Sequence, residues 1–362
     1  MSDVHSFAPG RVELLGNHTD YNGGVVLSAA IQMGISATGK ARGDSRIVLT
    51  SEGMEGSATA DLSVGLQRRG SWDDYPLGVV EMLRQAGAAV GGFDAHFVAD
   101  LPPGAGLSSS AALEVATAVL VTRLFPFSVS PLDLAKICRR AENEFVGVSC
   151  GLLDQVSSIF GRRDHVVFLD CRAESVESIP FPPGFGLLIV HSGVKHALTG
   201  GEYNERRDQC FEAAKLMGAP ALRDVTSARL EAADLPGLVK RRARHITGEN
   251  ERVFSALAAL RAGDGDQFGK LMTASHRSSM ENFENSTPEL DALVEIAINQ
   301  DGCHGARLTG GGFGGAIVAL TEIKKTAAVA EAVTAQYLEK TGNRATAYPC
   351  LAGDGALAAR QV

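Results

Sequence analysis

The sequence has few cysteines, and their spacing is typical neither of a metal site nor of a redox motif. The chain contains neither a CxxC pair nor the cysteine and histidine spacing of a zinc site. The cysteines are Cys138, Cys150, Cys171, Cys210, Cys303 and Cys350. We therefore interpret them as reduced thiols, the usual state of cysteine in the cytosol. Basic charge is not in excess either, since the formal net charge is −8, which argues against nucleic acid as the main partner.

The long apolar runs of membrane proteins are also missing. No stretch approaches the roughly 20 apolar residues of a membrane-spanning helix, so we expect no membrane partner. The first ten residues, MSDVHSFAPG, show no basic region followed by an apolar run, so we expect no secretion signal. These absences predict a cytoplasmic protein whose partners are small molecules. They leave the oligomeric state open, a monomer included.

Glycine is abundant, and helix-like and strand-like stretches alternate along the chain. The 41 glycines concentrate in a few loops, and the 362 residues exceed one ordinary hydrophobic core. Because strand-like and helix-like stretches interleave in both halves, we predict an α+β protein with mixed sheets and packed helices. The proline-rich segment IPFPPGFG marks the expected boundary. It separates an N-terminal domain, residues 1–180, from a C-terminal domain, residues 181–362.

Several stretches carry clear signals of secondary structure. Residues 108–125 are rich in alanine and leucine and begin with serines, which predicts a helix that the serines cap. Gly310, Gly312 and Gly315 satisfy a GxGxxG pattern, but the AIVAL that follows predicts a strand. A dinucleotide-binding loop opens a helix, so this pattern does not indicate one.

Residues 14–24, LLGNHTDYNGG, crowd polar side chains between two leucines and two glycines. If the segment is extended, His18 and Asp20 point to the same side, because side chains alternate along a strand. A polar loop tip is the simpler interpretation, since loops lie at the surface. A site for a polar ligand is the other.

Residues 102–114, PPGAGLSSSAALE, join a glycine turn directly to a helix start. The free N–H groups and the positive dipole end of such a start bind phosphates. One serine oxygen is enough to cap a helix, so the other hydroxyls are available to a phosphate or a metal ion. Close packing of small residues at the helix start is the alternative.

Two acidic residues are ambiguous when each is taken alone. Asp154 lies in the short stretch GLLDQVSS, where Ser157 and Ser158 share its polar side, and aspartate is common at a helix start. Glu142 lies on the preceding predicted helix, where a solvent-facing charge is the usual explanation.

Three stretches together resemble the ordered motifs of the GHMP kinases, a family of sugar and small-molecule kinases, and the first of them resembles the galactokinase signature. They are APGRVELLGNHTDYNGG (8–24), LPPGAGLSSSAALE (101–114) and GARLTGGGFGGAIVAL (305–320). The resemblance covers essentially the whole chain. It implies the two-domain GHMP kinase fold with the active site in the interdomain cleft. It also implies ATP as phosphoryl donor, Mg²⁺, and the anomeric hydroxyl of an aldohexose, D-galactose first, as acceptor.

The resemblance also implies roles for individual residues. Asp154 would be the catalytic carboxylate facing the anomeric hydroxyl, with Arg11 beside it; it would either take the proton or orient the hydroxyl. Ser110 and Glu142 would bind Mg²⁺. The implied ATP-binding residues are Trp72, Tyr75, Gly104, Ala105, Gly106, Leu107, Ser108, Ser109 and Ser110. The implied sugar-binding residues are Arg11, Asn17, His18, Asp20, Gly151, Asp154 and Tyr203.

The chain departs from the galactokinase pattern within the first motif. Galactokinases carry glutamate where this chain has Asn17, and that glutamate contacts the outer hydroxyls of the sugar, chiefly at C6. They carry asparagine where this chain has Glu13, and proline where it has Ser28. We therefore expect Asn17 to weaken selectivity at C6. The alternatives are a GHMP kinase for a C6-altered sugar, such as galacturonate or L-arabinose, and a galactose sensor without turnover. The complete GLSSSAALE motif argues against the sensor.

Overall fold

Two sheets, each packed against helices, form the fold; the first is mixed, with one parallel pair of strands, and the second is antiparallel. The computed structural model describes residues 2–102, 104–194 and 201–358, so Pro103 of the second motif lies outside the described residues. The first sheet contains β1 (Val4–Leu15), β2 (Val25–Ala41), β3 (Arg46–Ser51), β4 (Ala58–Asp61), β5 (Phe93–Ala99), β6 (His165–Asp170) and β7 (Ser175–Pro180). The second sheet contains β8 (Phe185–His191), β9 (Cys303–Thr309), β10 (Ala316–Glu322) and β11 (Thr346–Cys350).

Helices are interleaved with the strands in both halves of the chain. The first half contains α1 (Asp74–Gln85), α2 (Ser109–Leu124), α3 (Pro131–Arg140) and α4 (Leu153–Phe160). The second half contains α5 (Gly201–Leu216), α6 (Ser227–Ala232), α7 (Gly237–Arg261), α8 (Gly265–Ser278), α9 (Pro288–Ile298) and α10 (Thr326–Thr341). None of the described helices is both long enough and apolar enough to cross a membrane.

The strand order shows where the two halves meet. The first sheet has the order β4-β3-β5-β2-β6-β7, with β1 paired antiparallel to β2, and the second has the order β11-β8-β10-β9. The end of β1 meets the end of β9, where the Glu13 N–H donates to Thr309 Oγ1 over 2.9 Å. The expected boundary between residues 180 and 181 falls in the connection from β7 to β8; the domain limits themselves stay a prediction.

One hydrophobic cluster runs through both sheets. It joins Val12 and Val26 of the first sheet with Ile189 of β8, Val318 of β10 and Phe268 of α8. Two further clusters lie in the second half of the chain, one around Leu293 of α9 and one around Cys210 of α5. The described residues therefore have more than one core, as the length of the chain predicts, and the largest one is shared by both sheets. Burial on both sides of β1 and β2 is the reason, since both strands contain long runs of consecutive buried residues rather than an alternation of buried and exposed ones.

The predicted α2 helix and the strand after the GGGFGG loop are confirmed, whereas two local expectations were wrong. Ser108 stands at the N-cap of α2 with φ 56° and makes no capping hydrogen bond. Its hydroxyl donates to Asp154 instead. Residues 17–23 are not extended, because Asp20–Asn22 form a 3₁₀ turn that ends at Gly23, with φ 64°. Strand alternation therefore does not explain the placement of His18 and Asp20.

Candidate functional site

A polar cavity of about 190 Å³ opens where β1, the turn after it and the start of α4 meet the 310–311 backbone. All of the sugar-binding residues implied by the resemblance line it: Arg11, Asn17, His18, Asp20, Gly151, Asp154 and Tyr203. Glu13, to which we assigned no binding role, lines it as well. The chain thus brings together, over more than 190 positions of sequence, the residues that the motif comparison selected.

Asp154 is held at both carboxylate oxygens. Arg11 Nε donates to Oδ1 over 2.7 Å, and the Ser108 hydroxyl donates to Oδ2 over 2.5 Å. Ser108 reaches it because the left-handed conformation at the start of α2 turns its side chain away from the helix N–H groups. The Asp154 side chain is 26% exposed, toward the cavity, so a fixed carboxylate faces the ligand space.

Arg11 joins this carboxylate to the glycine-serine loop. Its Nη1 donates to the Gly106 carbonyl over 2.8 Å, and its backbone N–H donates to the Leu107 carbonyl over 3.1 Å. Burial lowers the pKa of the Arg11 guanidinium, but the adjacent Asp154 outweighs burial and the pKa is raised. Arg11 is therefore a permanent cation that fixes Asp154 and the loop in one arrangement.

Asp20 lines the same cavity and lies next to Gly151. A Cβ atom at Gly151 would lie 1.9 Å from Asp20 Oδ2, so only glycine leaves room for this carboxylate. Burial raises the pKa of Asp20 to about 6, and the negative charges of Glu13 and Asp154 add to the rise. In the free protein the cavity thus holds a carboxyl group that gains a proton in mildly acidic solution.

His18 and Tyr203 form an aromatic wall of the same cavity. Their ring centroids are 5.0 Å apart. His18 Nε2 donates to the Gly311 carbonyl over 2.9 Å, which leaves Nδ1 to accept from the Tyr21 hydroxyl over 2.8 Å. Burial lowers the pKa of His18 to about 4, so the ring is neutral. Since both nitrogens have protein partners, His18 contributes shape to the cavity rather than a free donor.

Asn17 is buried behind this wall, and its side-chain amide is fully engaged. Its Nδ2 donates to Glu13 Oε1 over 2.9 Å and to the Gly310 carbonyl over 2.8 Å. Its Oδ1 accepts from Asn285 Nδ2 over 2.8 Å. Asn17 is 1% exposed. The expected reader of the sugar's outer hydroxyls therefore spends its hydrogen bonds inside the protein.

A larger cavity of about 700 Å³ adjoins the first and shares Tyr203, Gly310 and Gly311 with it. Two glycine loops face each other across it, residues 104–108 and 310–315. A Cβ at Gly310 would lie 3.6 Å from the Gly106 carbonyl, so the backbones of the two loops approach closely. The open arrangement of two adjoining cavities suits two ligands that meet at their junction.

The loop before α2 has the geometry of an anion site. Gly104, Gly106 and Ser108 all have positive φ, at 74°, 68° and 56°. In the described part of the chain, the backbone N–H groups of residues 104–108 donate no hydrogen bond. Together with the first turn of α2 they offer a row of free donors, the arrangement that binds phosphate groups.

Trp72 and Tyr75 are not brought to this cavity. Trp72 packs edge-on against Phe97, with ring centroids 6.0 Å apart, and neither residue is in the lining of the 700 Å³ space. Burial raises the pKa of Tyr75, and the negative charge of Glu142 adds to the rise. An adenine contact for Trp72 and Tyr75 stays a prediction.

Glu142 lies at the centre of a buried acidic cluster. Gln155 Nε2 donates over 3.0 Å both to Glu142 Oε2 and to Glu114 Oε2. Burial raises the pKa of Glu142, and the charge of Asp154 adds to the rise, while a hydrogen bond with Ser110 opposes it. Burial and the neighbouring carboxylate thus both disfavour the ionised form of Glu142. A bound cation would favour that form.

Sequence reasoning missed several residues that build this site. Glu13, the bond from Ser108 to Asp154, and the buried Glu249 were not assigned a role in it. Glu249 Oε2 accepts from the backbone N–H groups of Gly16 and Asn17 over 3.0 and 3.1 Å, and so holds the turn after β1. A glutamate on a long helix gives no local signal of such a contact, because its partner lies more than 230 residues away.

Models of known families match three parts of the chain. The GHMP kinase N-terminal domain matches residues 74–162, and the GHMP kinase C-terminal domain matches residues 256–340. The galactokinase galactose-binding signature matches residues 2–40. The third match contains β1 and the turn that lines the smaller cavity.

Curated relatives and solved structures agree with these matches. A galactokinase of Glaesserella parasuis is 40% identical over 96% of this chain and 93% of its own length. A galactokinase of Mannheimia succiniciproducens is 40% identical over 98% of this chain and 94% of its own length. The crystal structure of Lactococcus lactis galactokinase complexed with galactose superposes with a TM-score of 0.94 at 35% identity, covering 98% of this chain and 94% of that one.

Proposed function

Since the chain belongs to the galactokinase family of the GHMP kinases, we propose that it transfers the γ-phosphoryl group of ATP to the C1 hydroxyl of D-galactose. The products are α-D-galactose 1-phosphate and ADP. The observation that carries the proposal is the position of Asp154 in the lining of the small polar cavity, where Arg11 and Ser108 hold both of its carboxylate oxygens. Ser108 belongs to the loop whose glycines, Gly104 and Gly106, line the adjoining cavity.

The smaller cavity is the sugar site in this proposal. Glu13, Asp20 and Asp154 supply carboxylate acceptors, which suit a ligand rich in hydroxyl groups. The cavity is small and has rigid walls, because Arg11 and His18 are tied to the backbone of the two glycine loops. These features support the galactose named in the solved structure of the relative as the acceptor for this chain.

The larger cavity is the ATP site. Gly104 and Gly106 line it. The free N–H groups of residues 104–108, with Ser109 and Ser110 in the first turn of α2, would bind the phosphates of ATP. The paired glycine loops let both backbones approach the transferred group closely, which suits a reaction that depends on positioning and charge stabilisation.

Mg²⁺ fits the donor set formed by Ser110 and Glu142. Both offer oxygen, the ligand that Mg²⁺ prefers, and the negative charge of the neighbouring Asp154 favours a cation there. No group of three or more His, Cys, Asp or Glu residues that could hold a metal exists among the described residues. A magnesium ion bound through one carboxylate and the phosphates of ATP needs no such group. When bound, it neutralises the charge that develops on the phosphates.

The chemical step follows from the site. Asp154 accepts a hydrogen bond from the C1 hydroxyl and orients its oxygen toward the γ-phosphorus. The new O–P bond forms as the bond to the ADP oxygen breaks, and the hydroxyl proton passes to the Asp154 carboxylate. Arg11 and Ser108 hold that carboxylate in position for the step, each through a hydrogen bond to one of its oxygens. The comparisons do not favour a kinase for C6-altered sugars or a sensor without turnover.

The test is an ADP-release assay with purified protein and a panel of free sugars. We expect no ADP without sugar, ADP with D-galactose and Mg²⁺, and loss of the signal when the metal is chelated. The product should carry its phosphate at C1 by phosphorus NMR. Binding of galactose by calorimetry without ADP from any sugar would contradict the proposal and favour a sensor.

A cytoplasmic location belongs to the same proposal; its support is that all six cysteines are free thiols.

A further inference from the structure

Glu13 has a free acceptor oxygen at the wall of the sugar cavity. Its Oε1 accepts from Asn17 Nδ2 over 2.9 Å and from Arg307 Nη1 over 3.0 Å. Its Oε2 accepts no hydrogen bond in the described part of the chain, and the residue lines the 190 Å³ cavity. One oxygen is therefore tied to the protein, and the other is available to a ligand.

Arg307 gives this carboxylate a fixed position. The Arg307 side chain is completely buried, and Glu13 is the only acidic residue of the described chain within ion-pair distance of it. Its Nε and Nη2 have no hydrogen-bond partner among the described residues. A buried guanidinium with one carboxylate partner is strongly destabilising if that partner is removed, so Glu13 cannot turn away freely.

Asn17 completes the support. Both of its N–H donors are used, one by Glu13 and one by the Gly310 carbonyl. To bind a sugar hydroxyl as donor, Asn17 would have to give up one of these contacts inside the protein. Two of the three departures from the galactokinase pattern, Glu13 and Asn17, are thus in direct contact. The galactokinase pattern has the amide at position 13 and the carboxylate at position 17, and this chain has the reverse. Both chains therefore have one carboxylate and one amide at this wall of the cavity.

We propose that Glu13, rather than Asn17, reads an outer hydroxyl of the sugar: Oε2 accepts the hydrogen bond, and Asn17 and Arg307 are positioning residues that hold the carboxylate. This inference rests on the proposed function, because it assigns the acceptor of that reaction to the smaller cavity. It replaces the expectation that Asn17 weakens selectivity at C6. Selectivity for the outer hydroxyl is retained, with the accepting carboxylate at position 13 instead of position 17.

The experiment compares wild type with Glu13→Gln on galactose and its 2-, 3-, 4- and 6-deoxy analogues, with kcat/KM from ADP release. Wild type should discriminate against one of these analogues by about 10- to 100-fold more than the variant does, the size expected for a charged hydrogen bond. The other analogues should keep their ratios to galactose, and KM for ATP should stay the same. An equal loss for every sugar would make Glu13 a purely structural residue and overturn the inference.

A second set of variants covers the case in which Glu13→Gln does not fold. In the double variant Glu13→Asn/Asn17→Glu, the carboxylate and the amide are exchanged, so Arg307 again has an acidic neighbour. We expect this protein to fold and to discriminate against the same deoxy sugar as wild type. The single Asn17→Glu places two carboxylates together and should lower the melting temperature. If Asn17→Glu instead sharpens discrimination while Glu13 variants leave it unchanged, position 17 is the reader.

These outcomes are separate from the proposed function. Absence of ADP from wild type with galactose would contradict the kinase assignment itself. Normal turnover with a uniform effect of Glu13→Gln would contradict only the inference about Glu13.

Discussion

Asp154 has no free rotation in the site, because Arg11 and Ser108 each hold one of its carboxylate oxygens. Replacement by asparagine preserves the shape but removes the carboxylate that takes the hydroxyl proton in the proposed reaction. We expect Asp154→Asn to lower kcat by about 10²-fold or more, the typical effect of a positioned acid–base group. Nucleotide affinity, measured by calorimetry, should stay near wild type.

The exposed Asp234 offers a matched control, since Asp234→Asn makes the same chemical change away from the described site lining. It should keep full turnover. If Asp154→Asn retains kcat within a few-fold of the control, Asp154 is not the catalytic group.

Asp20 should make sugar binding depend on pH. In the free protein burial raises its pKa to about 6, with Glu13 and Asp154 adding to the effect. Only the ionised carboxylate has two oxygens that both accept hydrogen bonds from sugar hydroxyls. The bound sugar should therefore stabilise the ionised form and lower the pKa of Asp20. We expect the Kd for galactose, measured by calorimetry without nucleotide, to rise as the pH falls below about 6.

The size of that dependence has a limit of about tenfold per pH unit, because a single proton is released. Asp20→Asn should bind more weakly at neutral pH and lose the dependence between pH 5 and 7. A wild-type Kd that stays constant over this range would show that Asp20 does not titrate with sugar binding.

At the scale of elements, the turn after β1 can approach the start of α4 because residue 151 is a glycine and has no side chain. Gly151 has no positive φ, so alanine meets no backbone strain there. Its Cβ would nevertheless lie 1.9 Å from Asp20 Oδ2 and displace that carboxylate. We expect Gly151→Ala to raise KM for the sugar by about tenfold or more, the effect of losing a hydrogen bond to a charged group, with KM for ATP unchanged.

Gly43 is the control, because a Cβ there meets nothing within 4 Å and its φ is also ordinary. Gly43→Ala should leave both KM values as they are. Equal sugar KM values in the two alanine variants would mean that Asp20 adjusts to the intrusion without loss of function.

Helix α7 holds the turn after β1 through one buried glutamate. Glu249 accepts from two backbone N–H groups of that turn, from Ser275 on α8 and from Arg252. Burial by itself raises the pKa of Glu249, but Arg252 and the neighbouring cations reverse this and hold it below the ordinary value. We expect Glu249→Gln to lower the free energy of unfolding by about 3–5 kcal/mol, since Arg252 loses its partner.

The pH dependence of this effect has a definite sign. A depressed pKa means that the unfolded state binds the proton first as the pH falls, so the stabilising contribution is complete above about pH 5 and lost progressively below it. The difference in unfolding free energy between wild type and Glu249→Gln, measured with denaturant, should therefore shrink in acid. A difference that stays constant down to pH 3 would contradict the ion-pair explanation.

The elements that sequence could predict are those whose signals are local. Helix α2 follows from its alanine-rich composition, and β10 from the apolar run after the glycine loop. Ser108 could not be predicted in the same way, because a serine before a helix normally caps it, whereas this one bonds to Asp154. Similarly, the bond between Glu13 and Asn17 depends on the turn geometry rather than on the letters at the two positions.

At the scale of the whole molecule, the shared hydrophobic cluster should make the protein unfold as one unit. Strands of both sheets and helix α8 contribute to it, so neither half has this core to itself. We expect a single cooperative transition in calorimetry, with equal calorimetric and van't Hoff enthalpies. Fragments covering residues 1–180 and 181–362 should not fold when expressed separately. Two resolved transitions, or a folded fragment, would contradict this.

The α+β class was predictable because helix and strand patterns alternate in both halves. The shared core was not, because periodicity shows which residues are buried and not which partner buries them. For the same reason the motif comparison selected the residues of the smaller cavity but did not show that Asn17 holds the Glu13 carboxylate.

The common interior also restricts how ligands are exchanged. Rigid-body rotation of one half about a hinge would expose apolar side chains of both sheets to water, at about 25 cal/mol for each Å² uncovered. Substrate entry and product release are therefore expected to proceed by local displacement of the two glycine loops. In such an enzyme, loop composition rather than domain closure sets how fast the finished sugar phosphate leaves.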